Sequence, residues 1–451
     1  MTASYQDHTS GPALRKVISA AAMGNFVEWF DFAVYGFLAT MIASQFFPGD
    51  DVSLGLLKTF GVFAVAFAMR PLGGIFFGIL GDKLGRKGVL SLTILMMAGS
   101  TTLIGLLPSY TAWGVAAPIL LTLLRCLQGF SAGGEYAGSI AYVMEHAPHD
   151  RRGWFGSFIP VSTFLAFASA ALLVFGLESG LSAEAMAGWG WRVPFLLAAP
   201  LGLVGLYLRW RMEETPAFKA MAAEETPHAH SPLRETLKSQ SGQMLRLGAF
   251  ISLTALSFYM FTTYFSTFLQ IEGGFSRPRA LLVTMIALFF SAAACPLAGG
   301  LSDRIGRRNT IRLVCTWLFV MVLPAYLLAS SGMLWKAIPG VLLLATGALV
   351  ANVVTAALLS ETFPTRTRYT ASAFTYNISY TIFGGTAPLM ATWLIDRSGN
   401  SLAPAFYMMV IAALAAIGGL ALKETSRISL IGNDSAAPEP GIVPDALLAA
   451  R

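Results

Sequence analysis

Residues 81–87 have the sequence Gly-Asp-Lys-Leu-Gly-Arg-Lys, and residues 301–308 have the sequence Leu-Ser-Asp-Arg-Ile-Gly-Arg-Arg. Both contain Asp, then Lys or Arg, any residue, Gly, Arg, and again Lys or Arg, and Asp82 and Asp303 lie 221 residues apart. Each copy stands between two long apolar segments. A loop motif that returns in the same surroundings indicates that the chain consists of two homologous halves.

The composition around this repeat is that of a membrane protein. Apolar residues make up 55% of the 451 residues and charged residues 12%, against about 45–50% and 25% in soluble proteins. A membrane-spanning helix uses about 20 mostly apolar residues, and the chain contains twelve segments of about that length. They are residues 17–45, 54–80, 89–108, 115–144, 153–177, 191–209, 244–270, 280–301, 311–331, 337–360, 369–395 and 402–422.

The placement of lysine and arginine orients these twelve segments. Of the 30 basic residues, 22 lie on one side in alternate loops and ends, five lie on the other side, and three lie within or at the edge of a segment. Because positive residues resist translocation, we expect the richer side and both termini to be cytoplasmic, in a multi-pass protein of the plasma membrane. The expected parts are an N-terminal segment 1–16, a six-helix bundle 17–210, a cytoplasmic linker 211–243, a second six-helix bundle 244–422 and a disordered cytoplasmic tail 423–451.

Each copy of the loop motif has an acidic partner motif further along the chain. Glu145-His-Ala-Pro148 corresponds to Glu361-Thr-Phe-Pro364, and a weaker repeat pairs Glu-Thr at 214–215 with Glu-Thr at 424–425. Arginines of the loop motif can pair with these glutamates, and its aspartates can face the positive N-terminal end of a neighbouring helix. We expect a cytoplasmic gate whose ion pairs break when that side opens; the alternative is a set of topology signals only. The expected gate residues are Asp82, Gly85, Arg86, Glu145, Arg151, Asp303, Gly306, Arg307, Glu361 and Arg366.

Four further stretches carry a resemblance to a known family. They are Gly-Asn-Phe-Val-Glu-Trp-Phe-Asp-Phe at 24–32, Met-Arg-Pro-Leu-Gly-Gly at 69–74, Gln-Gly-Phe-Ser-Ala-Gly-Gly-Glu-Tyr at 128–136 and Trp-Gly-Trp-Arg-Val-Pro-Phe at 189–195. With the duplicated loop, the chain resembles the metabolite:proton symporters of the major facilitator superfamily, most of all their proline/betaine transporters. The resemblance implies an all-α membrane protein with twelve helices in two pseudo-symmetric six-helix bundles. It also implies uptake of a small zwitterion driven by the proton gradient without a cofactor; the alternative substrate is an organic acid such as α-ketoglutarate, citrate or shikimate.

Ionisable residues within a membrane span are costly and therefore mark a transport path or a proton relay. Segment 17–45 carries Glu28 and Asp31 on one helical face, and segment 115–144 carries Arg125 and Glu135, with Gly129 and Gly133 permitting close approach of another helix. An arginine keeps an opposing acid ionised, and a proton on the acid releases the arginine for another partner, such as a substrate carboxylate. We expect Asp31 and Arg125 to couple proton to substrate, with Glu28 and Glu135 as competing proton carriers; a static pair is the alternative.

Polar and aromatic side chains in the spans are the candidate substrate ligands, although each of these types is more often a helix-packing contact. The expected substrate-binding residues are Asn25, Trp29, Tyr35, Arg70, Gln128, Tyr259, Thr263, Tyr376, Asn377 and Tyr380. The expected partners are a small-molecule substrate, the proton and membrane lipid, with the protein a monomer. The basic residues occur in short groups rather than one patch, which excludes a nucleic-acid partner. The three cysteines lie in apolar segments and predict no metal site, and the absence of a phosphate-binding loop or a catalytic constellation excludes an enzyme.

Overall fold

The computed structural model describes residues 11–49, 51–84, 86–133, 136, 139–140, 143–144, 147–211, 232–426 and 428. Within these ranges the chain is helical and contains no strand. Backbone N–H and C=O groups in a lipid environment must be satisfied within the segment, and helices achieve this locally. The lipid environment therefore accounts for both the apolar side chains and the helical backbone.

The helices of the first half are α1 to α6. Helix α1 runs over Gly11–Phe37 and continues after a bend of 62° as Ala39–Phe46. Helices α2, α3 and α4 are Val52–Leu84, Arg86–Leu106 and Ala116–Ser131. Helix α5 comprises Arg152–Gly156 and Phe158–Gly180, and α6 comprises Gly190–Arg192, Val193–Leu196 and Ala198–Arg211. Short helices at Tyr110–Trp113, His149–Arg151 and Ala183–Gly188 connect them.

The helices of the second half are α7 to α12. Helix α7 is Pro232–Tyr259 followed by a π-helical turn at Met260–Tyr264 and then Phe265–Ile271, and α11 is Thr365–Ser379, a π-helical turn at Tyr380–Gly385, and Ala387–Ser398. Helices α8, α9, α10 and α12 are Arg277–Ile305, Arg307–Ala329, Leu334–Glu361 and Ala403–Leu420. Turns of the π type are rare and occur often at functional sites.

All twelve predicted segments overlap a helix. Nine helices of the described chain are long and apolar enough to cross a membrane, or ten when the bent pair of α1 counts as one span. Ser91–Leu106 and Ala116–Ser131 are shorter apolar helices at the two remaining predicted positions. Residues 232–243 of the predicted linker are helical and form the start of α7, whose candidate membrane span begins at Ser239. Residues 212–231 and 429–451, which hold most of the predicted linker and tail, lie outside the described residues.

Glycines allow α2 and α4 to pack with their backbones in contact. A Cβ atom at Gly129 would lie 1.8 Å from the carbonyl oxygen of Ala66, and one at Gly73 would lie 1.7 Å from that of Phe130. A Cβ atom at Gly133 would lie 2.2 Å from the carbonyl oxygen of Arg70 and 2.4 Å from the backbone nitrogen of Gly74. The close approach that Gly129 and Gly133 predicted is confirmed, and it brings the polar residues of α4 next to those of α1 and α2.

The two halves contact each other at three levels. In the middle, Asn377 Nδ2 of α11 donates to the carbonyl oxygen of Gly133 at 2.8 Å. At the end that carries Asp303–Arg308, which we call the motif end, a Cβ atom at Gly299 of α8 would lie 2.2 Å from the carbonyl oxygen of Gly153 of α5. At the opposite end, Arg277 Nη1 lies 3.6 Å from Glu178 Oε1. Contacts between the halves at both ends therefore enclose the residues at the centre of the interface.

Candidate functional site

A buried ion pair joins α1 to α2. Arg70 Nη2 lies 2.9 Å from Glu28 Oε1, and the two side chains are 1% and 2% exposed. The guanidinium carbon of Arg70 lies 5.0 Å from the ring centroids of both Phe32 and Phe67, so the positive charge makes cation–π contacts with both rings. The sequence assigned Glu28 to proton transfer and Arg70 to substrate; the structure shows that they are partners of each other.

Asp31 and Arg125 belong to one hydrogen-bond chain that passes through α3. Thr101 Oγ1 donates to Asp31 Oδ2 at 3.0 Å and accepts from Gln128 Nε2 at 2.7 Å. Gln128 Oε1 in turn accepts a hydrogen bond from Arg125 Nη1. The expected direct pairing of acid and arginine is thus replaced by a connection through two neutral side chains. The reason is that Arg125 lies over the ring of Tyr35, 4.2 Å from its centroid, and Gln128 one turn away on α4 takes its N–H group.

We call Glu28, Asp31, Arg70 and Arg125 the central cluster. Several of its charged atoms are buried and have no hydrogen-bond partner in the described part of the chain. They are Nε and Nη2 of Arg125, Nε and Nη1 of Arg70, and Oδ1 of Asp31. A buried donor or acceptor without a partner costs about 1–3 kcal/mol, and more when it carries charge. A bound molecule with a hydrogen-bond acceptor could pair with these guanidinium N–H groups. Its binding would remove the free-energy cost of leaving them unpartnered.

Aromatic residues from both halves cover the cluster. The ring of Tyr259 on α7 lies 6.3 Å from Trp29, 5.7 Å from Phe63 and 6.1 Å from Tyr380, and Trp29 also packs against Phe258 at 5.4 Å. Tyr259 and Tyr380 were expected as substrate ligands, and the structure brings both to this interface between the halves. The π-helical turns of α7 and α11 begin directly after Tyr259 and at Tyr380.

A stack of three tyrosines adjoins these rings. Tyr376 lies 4.7 Å from Tyr136 and 4.0 Å from Tyr380, measured between ring centroids. The stack connects α11 with the first half. Tyr136 was not among the expected ligands, although it ends the glycine-rich stretch at 128–136 that the sequence singled out.

Other expected ligands have partners within the protein. Asn25 Nδ2 donates to the hydroxyls of Ser162 and Thr163 at 2.9 and 2.7 Å, and its Oδ1 accepts from Trp29 Nε1 at 2.9 Å. Asn25 therefore ties α1 to α5. Tyr35 donates to the carbonyl oxygen of Thr59 at 3.0 Å.

Thr263 and Glu135 complete the expected set. Thr263 is buried against Gly36, where an added Cβ would lie 2.8 Å from Thr263 Cγ2. Glu135 lies outside the described residues.

The second copy of the loop motif forms a charged network at the motif end. Arg307 donates from Nε and Nη2 to Glu361 at 3.0 and 2.9 Å, and its Nη1 lies 2.9 Å from Asp303 Oδ1. This bidentate pair lies within the second half, so opening of the halves does not require it to break. Gly306 has φ of 88°, a backbone conformation that favours glycine and turns the chain between α8 and α9.

Asp303 is the residue of this network that reaches across the halves. Its Oδ1 and Oδ2 accept from the backbone N–H groups of Gly153 and Trp154 at 2.8 and 2.9 Å, at the N-terminal end of α5. A carboxylate is favoured there because helix N-termini carry free N–H donors and a partial positive charge. Opening at this end must therefore break the contact of Asp303 with α5.

The segment after α12 also belongs to the motif end, which the expected gate did not include. Glu424 accepts from the backbone N–H groups of Arg307 and Arg308 at 2.8 and 2.9 Å, and Thr425 donates to Glu361 at 2.8 Å. Burial raises the pKa of Glu424, but these backbone hydrogen bonds outweigh it and hold the pKa below the usual value of 4.5. The repeated Glu-Thr pair in the sequence was the signal that could have identified this contact.

The remaining expected gate residues differ in position. Arg151 is exposed and lies 3.8 Å from its neighbour Asp150, whereas Arg152 is buried and donates to the carbonyl oxygen of Ile428 at 2.5 Å. The side chains of Asp82, Arg86, Glu145 and Arg366, and Gly85 as a whole, lie outside the described residues.

Known proteins resemble this chain in sequence. A family model described as "Major Facilitator Superfamily" matches residues 21–388. Among curated proteins, the proline/betaine transporter of Salmonella typhimurium is 39% identical over 434 residues, covering 94% of this chain and 87% of its own. The ectoine/proline transporter ProP of Corynebacterium glutamicum is 37% identical over 435 residues, with coverages of 93% and 86%.

Solved structures give the same fold at lower sequence similarity. A D-xylose-proton symporter superposes with a TM-score of 0.70 at 19% identity, covering 92% of this chain and 98% of its own. The xylose symporter XylE bound to 6-bromo-6-deoxy-D-glucose gives 0.73 at 16% identity, with coverages of 94% and 98%. This likeness concerns the arrangement of helices.

Proposed function

This chain belongs to the Major Facilitator Superfamily, and on that premise we propose that it imports a proline- or betaine-type zwitterion together with protons by alternating access. It is a multi-pass membrane transporter of small molecules and not an enzyme. Its relatives are named for proline, betaine and ectoine, and they do not favour the organic-acid alternative.

The chemistry of the central cluster supports a zwitterionic substrate. The unpartnered N–H groups of Arg125 suit a carboxylate. The guanidinium carbon of Arg125 lies 5.4 Å from the ring of Phe63, and the adjacent ring of Tyr259 carries a negative π-face of the kind that attracts an ammonium group. A second carboxylate in the same position would meet that face with like charge. A molecule with one carboxylate and one cationic nitrogen therefore fits the site better than a dicarboxylate.

The environment of Asp31 is the observation that carries proton coupling. Asp31 is 1% exposed, and among the residues that the structure describes it has no direct ion pair and keeps one oxygen without a hydrogen bond. With Glu28 paired to Arg70, the ionised Asp31 balances Arg125. A proton on Asp31 leaves Arg125 uncompensated until a substrate carboxylate arrives. Because buried charge without compensation is costly, proton and substrate favour each other's binding.

We place the motif end on the cytoplasmic side of the inner membrane, together with both termini. The excess of lysine and arginine in the loops of that side supports this orientation. In that orientation, the contact of Asp303 with α5 closes the path toward the cytoplasm. We further propose that the transporter acts as a monomer in contact with lipid, with large exposed apolar residues such as Leu297 and Ile417 on its outer surface.

Uptake into proteoliposomes tests the proposal. Radiolabelled glycine betaine and proline should accumulate when the outside is made acidic and only equilibrate without a pH gradient. Asp31→Asn should abolish accumulation while sparing counterflow, and Asp396→Asn, which changes an exposed aspartate of α11, should transport like the wild type. Full accumulation by Asp31→Asn contradicts the coupling role. Accumulation of α-ketoglutarate or citrate in place of both zwitterions contradicts the substrate class.

A further inference from the structure

Thr101 on α3 connects Asp31 to Arg125, and its hydroxyl has two acceptors within reach. Thr101 Oγ1 lies 3.0 Å from Asp31 Oδ2 and 2.9 Å from the carbonyl oxygen of Met97, one turn earlier on the same helix. Thr101 Oγ1 also accepts a hydrogen bond from Gln128 Nε2 at 2.7 Å. A hydroxyl has one hydrogen and two lone pairs, so Thr101 can donate to only one of the two acceptors at a time.

The direction of donation is fixed at the arginine end of the chain. A guanidinium group only donates, so the oxygen of the Gln128 amide must face Arg125. The amide nitrogen then faces Thr101, and Thr101 Oγ1 must accept from it. The hydrogen of Thr101 is therefore the one group in this chain that is free to turn.

We propose that Thr101 is a positioning residue whose hydroxyl reverses its donation when Asp31 binds a proton. The inference rests on the coupling role of Asp31 proposed above. While Asp31 is ionised, Thr101 donates to its Oδ2. When a proton binds to Oδ2, the new O–H group of Asp31 donates to Thr101 Oγ1, and the hydrogen of Thr101 turns to the carbonyl oxygen of Met97. The O–H bond on Asp31 is the only bond that forms, and it breaks again on release.

This reversal transmits the state of Asp31 to Arg125 without a direct contact. In the ionised state, Arg125, Gln128 and Thr101 all donate in the direction of the carboxylate, and hydrogen bonds aligned in this way strengthen one another. In the protonated state, Gln128 and Asp31 both donate to Thr101. Gln128 is then no longer polarised toward a negative charge, its bond with Arg125 weakens, and the guanidinium is available to a substrate carboxylate.

The charges around Asp31 are consistent with such a local switch. Among the described residues, the charged side chains that interact electrostatically with Asp31 are Arg125 of α4 and Glu28 of α1. Glu28 lies one turn away on the same helix. Glu28 is held by Arg70 of α2. Thr101 and Gln128 are both fully buried, so solvent does not compete for their hydrogen bonds.

The pH dependence of uptake distinguishes this role from a packing role. Thr101→Val keeps the shape of the side chain but removes the hydroxyl, so both forms of Asp31 lose a hydrogen bond, and the ionised form loses the stronger, charge-assisted one. The alkaline limb of proton-driven uptake should therefore move to higher pH by about one unit, while counterflow continues. Thr101→Ser restores a hydroxyl and should restore the wild-type profile. The matched control is Thr102→Val, because the Thr102 hydroxyl donates to the carbonyl oxygen of Ala98 at 2.7 Å on the same helix.

The outcomes separate this inference from the proposed function. A wild-type protein whose uptake does not respond to the pH gradient overturns both. A proton-driven wild type with an unchanged profile in Thr101→Val, or with equal shifts in Thr101→Val and Thr102→Val, overturns the role of Thr101 alone. Should Thr101→Val fail to insert, Thr101→Ala carries the same expectation, and an unshifted profile there has the same meaning.

Discussion

Asp303→Asn is expected to shift the transporter toward the state that is open at the motif end. The carboxylate accepts from two backbone N–H groups of the other half, at 2.8 Å from Gly153 and 2.9 Å from Trp154. An asparagine keeps one oxygen acceptor and presents an NH₂ group to the second N–H. One charge-assisted hydrogen bond is lost and the other becomes neutral.

The size of the effect follows from these two contacts. Hydrogen bonds to a charged group contribute about 1.5–3 kcal/mol each, and neutral ones about 0.5–1.5. The substitution should therefore cost the closed state about 2.5–4.5 kcal/mol, which changes the ratio of closed to open molecules by about 60- to 2,000-fold. The substitution also removes the ion pair between Asp303 and Arg307, but Arg307 retains its bidentate contact with Glu361, so the second half itself should stay folded.

Distances between spin labels measure this ratio directly. Labels on Asp150→Cys and Asn309→Cys report one exposed position on each half at the motif end, once Cys126, Cys295 and Cys315 have been replaced. Asp303→Asn should increase the population at the longer distance. Glu424→Gln is the matched control, because Glu424 also accepts from two backbone N–H groups but within the second half. Identical distance distributions in Asp303→Asn and wild type, or equal opening in Glu424→Gln, would refute this reasoning.

Two further predictions concern stability. Gly129→Ala should lower thermal stability and the yield of monodisperse protein, because its Cβ would lie 1.8 Å from the Ala66 carbonyl oxygen. Gly99→Ala, whose Cβ would have no described atom within 4 Å, should be tolerated; equal melting temperatures would contradict the backbone contact. Arg70→Met should destabilise the fold by about 3–5 kcal/mol because it removes the arginine that compensates the buried carboxylate of Glu28. Adding Glu28→Gln should recover part of the loss in a thermal-shift assay; a double variant no more stable than Arg70→Met would show that the pair is not the cause.

The fold was predictable from the sequence because membrane insertion and duplication leave strong local signals. Each of the twelve apolar segments overlaps a helix, and the repeated loop identified the family. Segment ends were less predictable where polar residues continue a helix. Residues 232–243 contain charged and polar side chains, which indicated a linker, yet they form the first turns of α7.

The sequence predicted which helix faces form the candidate site, but not which side chains pair with each other there. Helical spacing placed Glu28 and Asp31 on one side of α1, and both are buried in the central cluster. Their partners depend on how helices from distant parts of the chain approach each other. Thr101 carries no charge and lies among other threonines and serines of α3, so nothing in its local sequence distinguishes it.

The two charged networks differ in a way that matches the motions required of them. Arg307 and Glu361 contact each other directly with two hydrogen bonds inside one half, which suits a pair that moves as a unit. Asp31 and Arg125 are separated by Thr101 and Gln128. A direct bidentate pair in the buried centre would compete with a substrate carboxylate for the same N–H groups of the arginine. Neutral groups between the charges weaken their attraction, and the same groups provide the hydrogen bonds by which protonation of one charge can be communicated to the other.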